Sequence, residues 1–189
     1  MDDGIFTPKD VALRAVGRTV VNFQRLEHVL KGLTRLGPAA GALSTVLRDI
    51  ERRAEEASSF TLGRAIQAWM GIIASDGPPH ERTNDLFEPT LRGTFRLEGD
   101  VEALNAHGEA LKGLLESRNR LIHGDLVQFD WDSREACEAL VERLNGVNEA
   151  IAPQIEFLAG IGNAMQSIRP EDIEIEDSNG LVKWLPSSE

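Results

Sequence analysis

The stretch TPKDVALRAVGRTVVNFQRLEHVLKGLTRL, residues 7–36, decides the fold. Thr7 before Pro8, with Asp10 three residues after the cap, reads as a helix start. Thr accepts from a free N–H, Pro has none to lose in the first turn, and an acid there meets the positive end of the helix dipole. Wound at about 100° per residue, Val16, Thr19, Val20, Phe23, Leu26, Leu30 and Leu33 share one broad face. This spacing predicts a long amphipathic helix that stops at Gly37-Pro38 and buries its stripe against other helices.

The same period recurs down the chain. A second helix is expected from about residue 38 to 57, with Leu43, Val46, Leu47 and Ile50 on one side. Thr61 is the expected cap of a third, carrying Leu62, Ile66, Trp69, Met70 and Ile73 and ending at Ser75-Asp76-Gly77-Pro78-Pro79. A fourth runs from about 100 to 122, and a fifth from Asp132-Ser133 past Leu144, bending at Pro153. Residues 76–98 are the least regular, with a weak strand pattern at Thr94-Phe95-Arg96-Leu97. The tail from 173 to 185 alternates apolar and polar residues around Ser178-Asn179-Gly180, a hairpin signal or a tail that docks on a partner. The expected fold is all-α: an up-and-down bundle of four to five helices, with a short C-terminal β-hairpin left open. Residues 1–170 form the helical domain, and 171–189 an acidic tail or docked hairpin.

Composition narrows the class. No stretch approaches the ~20 apolar residues that cross a bilayer, so no membrane partner is expected. Met1-Asp2-Asp3-Gly4 is acidic and lacks an apolar signal core. One cysteine, Cys137, excludes an internal disulfide and suits a reducing cytoplasm; its helical neighbours make it a small core residue. A net charge of −11 argues against a chain that grips nucleic acid over its whole surface. Glu171, Asp172, Glu174, Glu176 and Asp177 lie in a run with no base. Residues 9–36 instead carry Lys9, Arg14, Arg18, Arg25, Lys31 and Arg35 against only Asp10 and Glu27. Arg14, Arg18, Arg25, His28 and Arg35 fall in one stripe of the first helix. That stripe is either a solvated face or a phosphate track for RNA.

Two charges fall on apolar stripes. Glu27 lies within the apolar face of the first helix, where a lone buried carboxylate costs roughly 2–5 kcal/mol. It either reaches water at the flank or pairs with Arg118 of the fourth helix and holds the guanidinium in place. Arg118 shares a stripe with Leu104, Leu111, Leu115 and Ile122. Five residues later comes His123, and Gly124 is the natural left-handed residue that ends the helix. The helix dipole there favours imidazolium while Arg118 opposes it, a balance that suits proton transfer near neutral pH. A structural pairing of Arg118 with Glu27, with His123 as a cap, is the other reading.

The stretch Arg118-Asn119-Arg120-Leu121-Ile122-His123 resembles the signature of the HEPN domain family: Arg, a polar residue, three to five further residues, then His. Val20-Val21-Asn22-Phe23-Gln24-Arg25-Leu26-Glu27 and Phe60-Thr61-Leu62-Gly63 are also similar to segments of bacterial members. The resemblance touches residues 10–125; its specific part is six residues. It implies a helical bundle that forms a homodimer, with the two motifs meeting in one composite site. It also implies a metal-independent endoribonuclease of toxin–antitoxin or anti-phage defence, held by an inhibitor or antitoxin protein. Arg118 and His123 would be catalytic, Asn119 would orient them, and Glu27 and Arg120 would support them. A ribose 2′-OH would attack the adjacent phosphate, giving a 2′,3′-cyclic phosphate and a 5′-OH, and DNA would not be cut. The alternative is a non-catalytic HEPN-like module that dimerises or binds a nucleotide or protein. Asp125 stands where a toxin subgroup carries a modifiable Tyr, and the chain has no Tyr.

No phosphate-binding glycine loop, His-Glu-x-x-His or Cys/His cluster is present in the sequence, so neither metal nor cofactor is expected. His28, His80 and His107 are read as surface residues. Trp131 is read as a loop aromatic packed on the bundle or, less simply, a base-stacking side chain, and Trp184 as an anchor of the tail.

Overall fold

Thr7 and Asp10 cap each other: Asp10 N–H donates to Thr7 Oγ1 at 3.2 Å, and Thr7 N–H donates to Asp10 Oδ2 at 3.0 Å. The hydrogen bonds from Thr7 hold the Asp10 carboxyl below its ordinary range. From this start a computed structural model places helix α1 at Pro8–Arg35. The structure describes residues 6–35, 37, 39–74, 90–93, 100–166, 174–176 and 182–184. The remaining helices are α2 (Leu43–Ser58), α3 (Leu62–Ile73), α4 (Val101–Arg120) and α5 (Arg134–Gln166). The protein is all-α, with five α-helices among the described residues. Among those residues no helix is long and apolar enough to cross a membrane.

Two antiparallel strand pairs accompany the helices. β1 (Ala39–Ala42) pairs with β2 (Thr90–Gly93) in the register Ala39 to Gly93, and β3 (Glu174–Glu176) pairs with β4 (Val182–Trp184) in the register Glu174 to Trp184. β1 corrects the expectation of helix from residue 38. Ala39-Ala40-Gly41-Ala42 offers no large side chain to bury at helical spacing, and pairing with β2 satisfies its backbone instead, so α2 begins only at Leu43. The strand pattern at 94–97 and the turn residues 75–79 lie outside the described residues.

The chain divides into two compact units. The first takes residues 1–28 and 100–157, which hold α1 to His28, α4, and α5 to Phe157. Lys9 is near Asp132, Arg18 donates to Asn145, and Asn22 donates to Asn148, so α1 and α5 run parallel. His107 meets Gln154 while Ser117 and Arg143 line one cleft, so α4 and α5 run antiparallel. Its core is Ala12, Ala15, Phe23 and Leu26 against Leu111, Leu114, Leu121, Cys137, Leu140, Leu144 and Ile151. A polar ladder crosses this core. Buried Thr19 Oγ1 donates to Ala15 O at 2.9 Å and accepts from Asn148 Nδ2 at 2.8 Å; Asn148 Nδ2 also donates to Leu144 O.

The second unit takes residues 29–99 and 158–189. It buries Leu30, Leu33, Val46, Ala57, Leu62, Ala65, Ile66, Trp69 and Leu158. Thr61 caps α3 as expected, accepting from Arg64 N–H. Among the α2 side chains the structure describes, Val46 and Ala57 are buried and Arg53 is half-buried on the same row, while Leu47 and Ile50 stand exposed. The stripe expected from the spacing is therefore rotated by about one residue.

α5 runs unbroken through Pro153, the position of the expected bend, and Pro153 is exposed.

Candidate functional site

Helix α4 buries His107, Gly108, Leu111 and Leu114, and the same row of threes and fours continues through 118 to buried Leu121. Arg118 interrupts this row and is half-buried. Of the expected stripe Leu111 is fully buried, Leu104, Leu115 and Arg118 are half-buried, and only Ile122 is exposed, at 36%.

The helix does not end in a left-handed glycine. Gly124 has no positive φ; it sits inside a π turn at Leu121–Asp125, closed by Leu126 N–H donating to Leu121 O at 3.2 Å. A second bond, Val127 N–H to Gly124 O, finishes the turn. The i-to-i−5 bond provides for a last-turn carbonyl that a left-handed cap would otherwise have bonded. The extra residue in the turn leaves Leu121 anchored in the core at 1% exposure while Ile122, His123 and Gly124 face solvent.

The end of α4 therefore gathers four of the sequence-derived residues. Arg118 is half-buried and its guanidinium donates to Asn119 Oδ1 at 3.1 Å. Asn119, Arg120 and His123 are exposed. The Glu27–Arg118 ion pair is not formed among the described residues: the neighbouring Asn119 amide takes the guanidinium. Glu27 lies half-buried on α1 and makes its own polar contact.

The basic stripe does not form one free track. Arg14 lies 3.4 Å over the Phe6 ring, and Arg18 is bonded to Asn145 of α5. Arg25 and Arg35 are exposed, as is His28. His107, expected at the surface, is buried. Its Nδ1 lies 2.6 Å from Gln154 Oε1 and its ring is 4.8 Å from that of Phe157. Burial pushes its pKa down, and the Gln154 bond offsets part of that. Trp131 packs edge-on against Phe129 with centroids 4.6 Å apart, and its carbonyl accepts a long bond from the buried Cys137 thiol. Trp184 lies in β4, and His80 is outside the described residues. Among the described residues no group of three or more His, Cys, Asp or Glu side chains stands where it could hold a metal ion.

Sequence reading missed Arg143. From α5 it forms an ion pair with Asp125 of the π turn, with the two side chains 39% and 22% exposed. Arg143 also lines a cleft with Ser117, Arg120, Leu121 and Leu144. The signal was the short link from 121 to 133, which folds α4 and α5 into a hairpin mirrored about position 130. That mirror brings 143 opposite 117. Compared with known proteins, the chain matches no family model, no curated protein and no solved structure.

Proposed function

We propose that the chain is a metal-independent endoribonuclease that acts as a homodimer, with Arg118, Asn119 and His123 from each copy meeting in one composite site. The observation that carries this reading is the π turn. It holds an exposed imidazole just beyond Arg118, Asn119 and Arg120, at the rim of a helical unit rather than in its core. His123 would transfer the proton of the attacking 2′-OH or of the departing 5′-oxygen. Arg118, supported by Arg120, would stabilise the charge developing on the phosphate oxygens, and Asn119 orients the guanidinium it already bonds. The role fits toxin–antitoxin or anti-phage defence in the cytoplasm, with an inhibitor or antitoxin protein as control.

The test is cleavage of RNA in EDTA by purified protein, with products carrying a 2′,3′-cyclic phosphate. Arg118→Ala and His123→Ala are expected to abolish cutting while the thermal melt stays in place. A folded dimer that leaves RNA intact over a broad range of substrates sinks the proposal. The second reading is a non-catalytic module that dimerises or binds a nucleotide or protein. It is favoured by the net charge of −11 and by the Asp125 carboxylate close after His123.

A further inference from the structure

We infer that the cleft rimmed by Ser117, Arg120 and Arg143 is a binding site for a phosphate group, and that Asp125 competes with that phosphate for Arg143. Two arginines from different helices and one serine line a single depression together with buried Leu121 and Leu144. On a chain of net charge −11, two arginines lining one small cleft make a local positive site that favours an anion. The carboxylate the structure supplies is that of Asp125, which engages Arg143 alone. Ser117 Oγ donates its one proton to Gly113 O, and turning the hydroxyl would give that proton to a phosphate oxygen instead. The cleft has a volume of about 60 Å³. One water needs roughly 10–15 Å³ of such space, so the four oxygens of a phosphate fit. A guanidinium presents two parallel donors to phosphate oxygens, and phosphate carries more charge than a carboxylate, so phosphate can compete with Asp125 for Arg143.

The exchange has a mechanical consequence. Asp125 is the last residue of the π turn that carries His123. With phosphate on Arg143, the tie between α5 and that turn opens. The inference rests on the proposed function only in naming RNA as the source of the phosphate; the cleft's chemistry does not depend on cleavage.

The experiment is an NMR titration of the full chain, reading backbone amides and arginine Nε–H signals, at constant ionic strength. Inorganic phosphate, cytidine 3′-monophosphate and cytidine are the probes. Saturable shifts are expected at residues 117–125 and at Arg143 with both phosphates and not with cytidine. Asp125→Asn is expected to tighten phosphate binding about twofold to fivefold, the range set by removing one partly exposed ion pair. Arg143→Gln and Arg120→Gln are each expected to weaken it at least fivefold, with far-UV CD melts confirming the fold. Tighter binding of the nucleotide than of inorganic phosphate identifies an RNA subsite, and equal binding identifies a site for free phosphate. The inference is overturned if shifts fail to saturate at tens of millimolar probe, or if the three variants bind as the wild type does. RNA cleavage is followed separately. His123→Ala that binds phosphate but does not cut supports both proposals, while phosphate binding by a wild type that never cuts removes the ribonuclease and leaves the anion site.

Discussion

Replacing Thr19 by valine tests the polar ladder that joins α1 to α5. Valine keeps the volume of threonine and removes only the hydroxyl. Thr19 is fully buried, so no water reaches the gap. Ala15 O loses little, because its helical N–H partner stays. The loss falls on Asn148, whose amide nitrogen donates to both Thr19 Oγ1 and Leu144 O at 2.8 Å. One of its two N–H groups then faces a methyl group, at a cost of about 1–3 kcal/mol. Asn148 is half-buried, which places the expected value in the lower half of that range, roughly 1–2 kcal/mol. For a chain of this length each kcal/mol lowers Tm by about 2–4 °C. Urea unfolding followed by CD should show a lower midpoint with an unchanged slope. Asn148→Ala and the double variant close a cycle whose coupling should be about 0.5–3 kcal/mol. A Thr19→Val protein within about 0.3 kcal/mol of wild type, or strict additivity in the cycle, refutes the ladder as a stabilising contact.

Burial depresses the His107 pKa, so the unfolded chain takes up a proton that the folded chain resists. This contribution is complete above the ordinary histidine value of about 6.5. It is lost as the pH falls below that value, and His107→Gln should flatten the slope of urea midpoint against pH in that window. Leu121→Ala removes the buried anchor of the π turn and should cost about 2–5 kcal/mol by urea unfolding. His123→Ala two residues on, exposed, should change stability by less than about 0.5 kcal/mol. Pro153→Ala restores an N–H inside a continuous helix and should raise stability by about 1–3 kcal/mol; a lower midpoint would mean the proline shapes the contact of Gln154 with His107.

The helices were readable because their signals are local. Thr7, Pro8 and Asp10 sit within one turn, and Thr61 bonds the N–H three residues on, so neither needs distant partners. The apolar row of α1 was also legible, since a long helix averages over errors of one residue. Shorter rows were not: Leu47 on α2 and Ile122 on α4 have the hydrophobicity of core residues but lie beside the buried row, and which of two adjacent rows is covered depends on the neighbouring helix. His107 was misread for the same reason, because its partners Gln154 and Phe157 are about fifty residues away. Strand β1 depends on pairing with residues 90–93, which no property of Ala39-Ala40-Gly41-Ala42 announces. In the candidate site, Arg118, Asn119 and His123 are legible as a motif. The π turn is not, because glycine after a helix also fits a left-handed cap, and the sequence does not say whether Gly124 takes a positive φ or stays within the turn.

A π turn is an α-helix with one residue inserted, and its effect is one of phase. Everything after Leu121 is rotated by about 100° relative to an uninterrupted helix. Deleting Gly124 would restore the α-helical repeat without removing His123 or any arginine. It would also swing the chain beyond it, so that the Asp125 position no longer meets Arg143 and the loop to α5 starts from the wrong side. The length of this segment is thus as much a part of the site as the identity of its residues.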